Sequence, residues 1–219
     1  MELDVDPRLF FVDPDELVNR DNNKSGPRHT VFIAGCPGCG KTTATQDYIL
    51  QYLPKDTIVY LFSAQNAERS LNLPGHTIRK MKLDPDILSR INKEVIRADA
   101  KGHNIVCVFD DIDAFTGKTY KAIQTLMEDL LANGRSHSNK EQHIHMIITS
   151  HALNDYHRTK RTLENCEYIV VFPSHTKSRQ LELLLTKCGM GKEEIELVKS
   201  LPSRRVLYKT HYPQQLIKF

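Results

Sequence analysis

A glycine-rich segment at residues 35–42 constrains the fold of this chain more than any other feature. It reads Gly-Cys-Pro-Gly-Cys-Gly-Lys-Thr and fits the pattern G-x-x-x-x-G-K-[ST] without a mismatch. The apolar run at 30–34 precedes it and predicts a buried strand. A helix is predicted over 41–53, where Pro54 ends it. A strand, a glycine-rich turn and a helix in this order are the context that a phosphate-binding loop requires.

The chemistry of this loop predicts a nucleotide site. Glycines allow the backbone to curl so that successive N–H groups point at phosphate oxygens, and the helix N-terminus adds a positive dipole. Lys41 is expected to reach the β- and γ-phosphates of ATP, and the Thr42 hydroxyl to bind Mg²⁺. Thr43 is expected to contact the α-phosphate. The predicted nucleotide-binding residues are Gly35, Cys36, Pro37, Gly38, Cys39, Gly40, Lys41, Thr42 and Thr43.

Two cysteines in the loop also form a C-x-x-C pattern, which can be a redox motif. Cys36 and Cys39 occupy variable positions of the phosphate loop, and a disulfide between them would distort the nest of N–H groups. We therefore interpret them as small loop residues, with redox control as the less favoured alternative. The five cysteines show no spacing typical of a secreted disulfide framework, which favours a reducing compartment.

An apolar stretch at 104–110 predicts a strand that ends in two carboxylates. In enzymes with a phosphate-binding loop, an acid at such a strand end holds the Mg²⁺ shell, and we assign this role to Asp110. Asp111 is predicted to orient or deprotonate the attacking water. Asp113 is a third candidate, with a helix N-cap as its alternative role. A solvated strand end is the alternative interpretation of the acidic pair.

Polar and basic residues follow the next predicted strand and helix. Ser150 and His151 end the apolar run 143–149, where they either sense the γ-phosphate or form an ordinary strand–loop junction. The histidines show no zinc-ligand spacing. Arg135 and the basic stretch 157–161 are candidates for an arginine finger, for contacts with a phosphate backbone, or for a solvated charged loop.

The remaining pattern predicts an α/β fold with a mostly parallel sheet covered by helices on both faces, because continuously apolar strands alternate with amphipathic helices. Residues 63–82 are ambiguous. We divide the chain into an N-terminal extension, 1–28, anchored by Leu9, Phe10 and Phe11, and one domain, 29–219, with a short C-terminal appendage. Further strands are predicted at 57–62, 168–172, 206–210 and 215–218, and helices at 84–100, 116–133, 176–188 and 191–200.

Composition excludes several classes of protein. Hydrophobic residues make up 40% of the chain and charged residues 26%, which is typical of a globular protein and not of a disordered or fibrous one. No apolar run reaches the roughly 20 residues that span a bilayer, and the acidic N-terminus does not resemble a secretory signal. We therefore expect neither membrane insertion nor secretion. The net charge of +3 favours an anionic partner only weakly.

The order of these motifs resembles a known family. The chain reads G-C-P-G-C-G-K-T-T, V-C-V-F-D-D-I-D, N-G-R, M-I-I-T-S-H, Y-I-V-V-F-P and finally S-R-R-V-L-Y-K-T-H-Y-P. Over residues 29–213 this is similar to the genome-packaging ATPases of large DNA viruses and virophages, a branch of the FtsK–HerA superfamily. The first two motifs are common to many NTPases, whereas the later ones are more specific to this branch.

The resemblance implies a RecA-like ASCE-type ATPase that forms a homo-oligomeric ring, a hexamer or pentamer, and pumps double-stranded DNA into a capsid. It places Lys41, Thr42 and Asp110 at the nucleotide and Mg²⁺, and Asp111 at the catalytic acid, where many relatives carry Glu. His151 stands where cellular relatives carry a sensor Gln, and Arg135 at a trans-acting arginine. It also implies non-specific binding to DNA phosphates, capsid partners, and a place in the virion or at a viral assembly site in the host cytoplasm.

Two other classes of function share the loop. A nucleotide or nucleoside kinase needs a mobile arginine-rich lid, and the sequence shows no compact lid motif. Asp111 also favours water as the phosphate acceptor. A non-catalytic switch or scaffold is the other alternative, against which the intact Lys41, Thr42 and Asp110 argue.

Overall fold

Nine strands form a single sheet in the part of the chain that the structure describes. The computed structural model describes residues 10–11, 28–64, 71–134, 143–151, 156–201, 206–209 and 215–218. The strands are β1 (Phe10–Phe11), β2 (Thr30–Ala34), β3 (Ile58–Ser63), β4 (Thr77–Lys80), β5 (Ile105–Asp110), β6 (Ile144–Ser150), β7 (Tyr168–Val171), β8 (Val206–Lys209) and β9 (Gln215–Lys218). Their order across the sheet is β1-β9-β8-β7-β2-β6-β5-β3-β4.

The central strands are parallel, as the sequence predicts. β7, β2, β6, β5, β3 and β4 pair in parallel, and only β8 pairs with its two neighbours β7 and β9 in antiparallel orientation. β6 lies between β2 and β5, which agrees with the predicted RecA-like ASCE sheet. Because parallel strands end at one edge of the sheet, the residues after β2, β5 and β6 meet there.

Six α-helices accompany the sheet among the described residues, and they cover both of its faces. They are α1 (Lys41–Tyr52), α2 (Pro85–Asp99), α3 (Gly117–Asn133), α4 (Tyr156–Asn165), α5 (Ser178–Lys187) and α6 (Lys192–Ser200), with a short 3₁₀ helix at Ile112–Ala114. Val31 and Ile33 of β2 pack in one core with α1, whereas Phe32 and Ala34 belong to the core that contains α2, α3, α5 and α6. This alternation explains why the strands are apolar throughout.

A capping residue and apolar spacing explain the positions of helices α2 and α3. The Asp84 carboxylate accepts hydrogen bonds from the backbone N–H groups of Asp86 and Ile87 and so caps the N-terminus of α2. Five apolar residues at helical spacing in α3 are buried, namely Ile123, Leu126, Met127, Leu130 and Leu131.

Two segments differ from the expectation. The basic stretch at 157–161 lies in helix α4 and not in a charged loop, and Lys160 pairs with Glu164 one turn later. The ambiguous region contains β4, which extends the sheet beyond β3. At the opposite edge, the backbone of Phe10 and Phe11 pairs with β9, while Leu9 lies outside the described residues. The anchoring role of these three residues stays a prediction. No helix in the described ranges is long and apolar enough to cross a membrane.

Arg28, the last residue of the predicted N-terminal extension, binds the end of α3 and the start of β6. Its guanidinium donates to the carbonyls of Leu130 at 2.6 Å and Leu131 at 3.3 Å, and its Nε donates to the Ile144 carbonyl at 2.8 Å. Gly134 ends α3 with an ordinary helical φ of −59°, so its role is not the left-handed stop expected of a terminal glycine. A Cβ there would lie 2.4 Å from the Leu130 carbonyl oxygen and 2.8 Å from the Arg28 guanidinium. The domain boundary at residue 28 stays a prediction.

Candidate active site

The predicted phosphate loop connects β2 to α1. Gly38 and Gly40 have φ values of 77° and 108°, in the left-handed region that favours glycine. The Gly35 N–H donates to the Ser150 carbonyl at 3.2 Å, so the start of the loop is fixed to the end of β6. Lys41 is the first residue of α1. The loop therefore has the strand–turn–helix geometry that its sequence predicts.

The Lys41 side chain is buried and folds back on the loop. Its ammonium donates to the carbonyls of Gly35 at 3.1 Å and Cys36 at 3.4 Å. It also lies 2.6 Å from Nδ1 of His151 and 3.7 Å from a carboxylate oxygen of Asp111. The cation thus connects the loop with residues that follow β5 and β6.

His151 lies between Lys41 and Asp111. Its Nε2 atom is 2.9 Å from Oδ2 of Asp111. Because Lys41 can only donate, the arrangement is satisfied when Nδ1 accepts from Lys41 and the Nε2–H group donates to Asp111. The sequence placed His151 near the γ-phosphate, and the structure brings it into direct contact with both predicted catalytic groups.

Asp113 holds the end of β6 in place. One of its carboxylate oxygens accepts hydrogen bonds from the Ser150 hydroxyl at 2.7 Å and from the His151 N–H at 2.6 Å. The alternative prediction of an N-cap role is wrong, because Asp113 lies inside the 3₁₀ helix, and the residue that precedes α3 is Thr116. Its contacts make Asp113 a positioning residue for His151.

Thr149 and Ser63 position the two acids, and neither residue was predicted from the sequence to do so. The Thr149 hydroxyl lies 3.1 Å from Oδ1 of Asp110 and accepts from the Asp111 N–H at 2.7 Å. The Ser63 hydroxyl donates to Oδ2 of Asp110 at 3.0 Å. Asp111 itself has a left-handed φ of 48°, uncommon for a residue other than glycine, directly after β5 ends. The available signal was that both hydroxyls end apolar strands.

Burial raises the pKa of Asp110 above the usual carboxyl value, and the neighbouring Asp111 charge raises it further. Hydrogen bonds from Ser63 and Thr149 and the charge of Lys41 act in the opposite direction. A carboxylate with a raised proton affinity is one that gains from an added cation. Asp110 therefore has the electrostatic surroundings of a metal ligand.

Most of the predicted site residues line one cavity of about 300 Å³. Its lining consists of Pro37, Gly38, Gly40, Lys41, Thr42, Asp110, Asp111 and His151. The hydroxyl of Thr42 and the carboxylate of Asp110 face the same space, and oxygen ligands of this kind suit Mg²⁺. The residues thus fit the expected metal. Gly35, Cys36, Cys39 and Thr43 belong to the loop or its helix but do not line the cavity.

The structure does not describe the side chains of the predicted arginines. Arg135 lies outside the described residues. Arg158 and Arg161 lie on helix α4, whose side chains at these positions are also outside the description. Their roles stay predictions.

A comparison with known families decides the family of the chain. Residues 18–168 match the family described as Novel STAND NTPase 3. The chain belongs to this family. The match spans the phosphate loop, both acids and His151, so the NTPase assignment and the geometry of the cavity agree. This STAND NTPase is therefore a P-loop NTPase.

A virophage protein and several solved structures, two of which are described below, are similar to this chain. An uncharacterized protein, V3 of the Sputnik virophage, is 29% identical over 192 residues, which cover 85% of this chain and 73% of that protein. The pCW3 conjugation coupling protein TcpA, solved with ATPγS, has a TM-score of 0.57 at 12% identity, over 98% of this chain and 70% of TcpA. The cytoplasmic domain of the Thermomonospora curvata type VII secretion ATPase EccC has a TM-score of 0.55 at 13% identity, over 92% of this chain and 26% of EccC. At such low identity these structures support the fold alone.

Proposed function

We propose that this STAND NTPase hydrolyses ATP in a Mg²⁺-dependent reaction and uses the energy to move double-stranded DNA, as in the packaging of a viral genome. The observation that carries the hydrolysis part is the position of Asp111. Its carboxylate faces the phosphate-loop cavity, 2.9 Å from His151 and 3.7 Å from Lys41. A carboxylate at this place can orient a water molecule toward the γ-phosphate.

The residues divide the chemistry between them. Lys41 exchanges the loop carbonyls that it contacts for phosphate oxygens, where its charge stabilises the transition state. Asp111 accepts a hydrogen bond from the attacking water, and His151 keeps that carboxylate oriented. Thr42 and Asp110 hold Mg²⁺, which neutralises phosphate charge when it is bound.

The DNA part of the proposal rests on the resemblance of the motif series and on the virophage relative. A motor must bind every sequence that it passes, so we expect contacts to DNA phosphates and little readout of bases. We also propose a homo-oligomeric ring, in which Arg135 of one subunit reaches the nucleotide of the next. Capsid partners and a location in the virion or at a viral assembly site in the host cytoplasm belong to the same proposal.

Phosphate release in the presence and absence of duplex DNA tests the proposal. We expect Mg²⁺-dependent hydrolysis that duplexes of unrelated sequence stimulate to similar extents, and DNA binding that weakens steeply with added salt. Lys41→Ala controls for contaminating ATPases. A strong preference for one duplex sequence at high salt would contradict the motor. Phosphate transfer to a nucleoside monophosphate would favour the kinase, and nucleotide binding without turnover would favour a switch.

A further inference from the structure

The segment Cys36–Cys39 forms a tight turn at the outer rim of the phosphate loop. The Cys39 N–H donates to the Cys36 carbonyl at 3.3 Å, which closes a four-residue turn. Pro37 and Gly38 occupy its central positions, and Gly38 has a φ of 77°. These are the residues and the φ value of a type II turn, in which the first and last Cα atoms are less than about 7 Å apart. Two cysteines at this separation are within the range that a disulfide spans.

The two thiols of this turn differ in exposure. Both are free. Cys36 is half-buried, and its thiol also donates to the His175 carbonyl at 3.0 Å. Cys39 is 1% exposed and lies under the loop, where a Cβ added at Gly35 would come within 2.5 Å of its sulfur. The turn thus holds one accessible thiol directly beside one protected thiol.

We propose that Cys36 and Cys39 form a reversible disulfide that lowers the affinity of the phosphate loop for nucleotide. Nucleotide binding does not require cysteine at either position. The two thiols would therefore form a modification site within the loop. It rests on the proposed function only in that the loop is taken to bind ATP. The oxidant is a low-molecular-weight disulfide such as oxidised glutathione.

Two exchange steps balance the reaction. The Cys36 thiolate attacks one sulfur of oxidised glutathione, which forms a mixed disulfide and releases one glutathione thiolate. Cys39 then loses its proton to solvent and attacks the Cys36 sulfur, which forms the protein disulfide and releases the second glutathione. The protein loses two protons and two electrons, and the glutathione disulfide gains them. Reduced glutathione reverses both steps.

The disulfide would close the site because it fixes the turn. Bond formation draws the two sulfurs to about 2 Å from each other, closer than any contact of free thiols. Cys36 then loses its bond to the His175 carbonyl, and the Cys39 N–H stays bonded to the Cys36 carbonyl. Because the disulfide fixes the turn, that N–H group cannot leave the Cys36 carbonyl to bind a phosphate oxygen. The same Cys36 carbonyl is an acceptor for Lys41, so the fixed turn also favours the folded-back position of the lysine.

The test equilibrates the full-length protein in glutathione buffers that range from reducing to oxidising. Alkylation and mass spectrometry of the loop peptide measure the disulfide, and a fluorescent ATP analogue measures nucleotide affinity. We expect the peptide to lose two alkylatable thiols together, and the affinity to fall by about tenfold or more, as for the loss of one hydrogen bond to a charged group. Reduction should restore both.

Each variant is compared with its own reduced form, because a substitution within the loop can itself change nucleotide affinity. Cys36→Ser and Cys39→Ser should each lose the redox response of nucleotide affinity. Cys188→Ser is the matched control, because Cys188 is half-buried away from the loop, and it should keep the full response. A loop peptide that keeps both thiols in oxidising buffer would overturn the proposal, as would a disulfide that leaves the affinity unchanged. If the reduced protein does not bind the analogue, the proposed function fails, whereas the peptide masses still decide whether the pair is a disulfide site.

Discussion

The Nε2 atom of His151 lies 2.9 Å from the Oδ2 atom of Asp111, and this contact joins the ends of two neighbouring strands. Asp111 follows β5 and His151 follows β6, so the contact depends on the pairing of these strands and not on proximity in the sequence. It places an imidazole against the predicted water-orienting carboxylate. The consequence is a specific expectation for the role of the histidine.

His151→Ala should lower kcat by about 10–100-fold, the effect of losing one hydrogen bond to a charged group. The affinity for Mg-ATP should change little, because the loop and the metal ligands remain. His151→Gln should retain more activity, since its amide N–H can still donate to Asp111. Steady-state ATPase kinetics measure this, with exposed His103→Ala as the control. Equal activity of the Ala variant and the wild type would remove His151 from the mechanism.

Substitutions of Asp110 and Asp111 should impair different steps, namely nucleotide binding and hydrolysis. Asp111→Asn should bind Mg-ATP normally but lose hydrolysis by about 10²–10⁴-fold, because the amide cannot accept a proton from water. Asp110→Asn should weaken the Mg²⁺-dependent part of nucleotide binding itself. Titrations of an ATP analogue with and without Mg²⁺ separate the two defects. Identical binding defects in both variants would contradict this division of roles.

Thr149 supports both acids, so its hydroxyl should matter more than its size. Thr149→Val keeps the shape but removes the acceptor for the Asp111 N–H and the hydroxyl beside Asp110. The free energy of unfolding should fall by about 1–3 kcal/mol, and hydrolysis should fall with it. Thr149→Ser should restore most of the activity. Urea unfolding and ATPase assays give the two readouts, and a fully active Val variant would show that the hydroxyl positions nothing.

Buried histidines should make the protein sensitive to acid. Burial lowers the pKa of His29 to about 4 and that of His145 well below its usual value. Below pH about 6.5 the unfolded chain therefore binds protons that the folded chain does not, so stability is complete above this pH and falls as the pH decreases toward 4. The expected slope is about 1.4 kcal/mol per pH unit for each histidine. The raised pKa of Asp110 opposes this loss at the acidic end.

Urea unfolding at a series of pH values between about 8 and 5, which include the usual histidine pKa, measures how the free energy of unfolding changes with pH. His145→Asn can still accept from the His29 N–H and does not titrate, so its slope should be smaller. His103→Asn, at an exposed position, should leave the slope unchanged. If both variants behave like the wild type, the acid sensitivity has another origin.

Arg135 stays a candidate for the trans-acting arginine. Arg135→Ala should bind ATP but hydrolyse it poorly, because known arginine fingers contribute about 10³–10⁵-fold in rate. Mixing it with Lys41→Ala should restore part of the activity, since a mixed ring pairs an intact loop with an intact finger. Specific activity should also rise with protein concentration. If mixed rings form but remain inactive, Arg158 and Arg161 become the next candidates.

The individual residues of the site were predictable from the sequence, but the hydrogen bonds that position them were not. Lys41, Thr42, Asp110, Asp111 and His151 were all predicted, and all line one cavity. Each belongs to a local pattern, either a motif or the polar end of an apolar strand. The supporting roles of Ser63, Thr149 and Asp113 were not predicted, because each acts on a residue more than thirty positions away in the sequence.

The sequence by itself determined the alternation of strands and helices, the phosphate loop and the acidic strand end. These features depend on short-range properties, namely apolar periodicity, capping, and the freedom of glycine at Gly38 and Gly40. No local pattern gives the strand order: the family resemblance implied it, and the tertiary structure shows β6 between β2 and β5. The physical reason is that strand order and register arise from hydrogen bonds and packing between segments that are distant in the chain. That order brings His151 between Lys41 and Asp111, and so assembles the site.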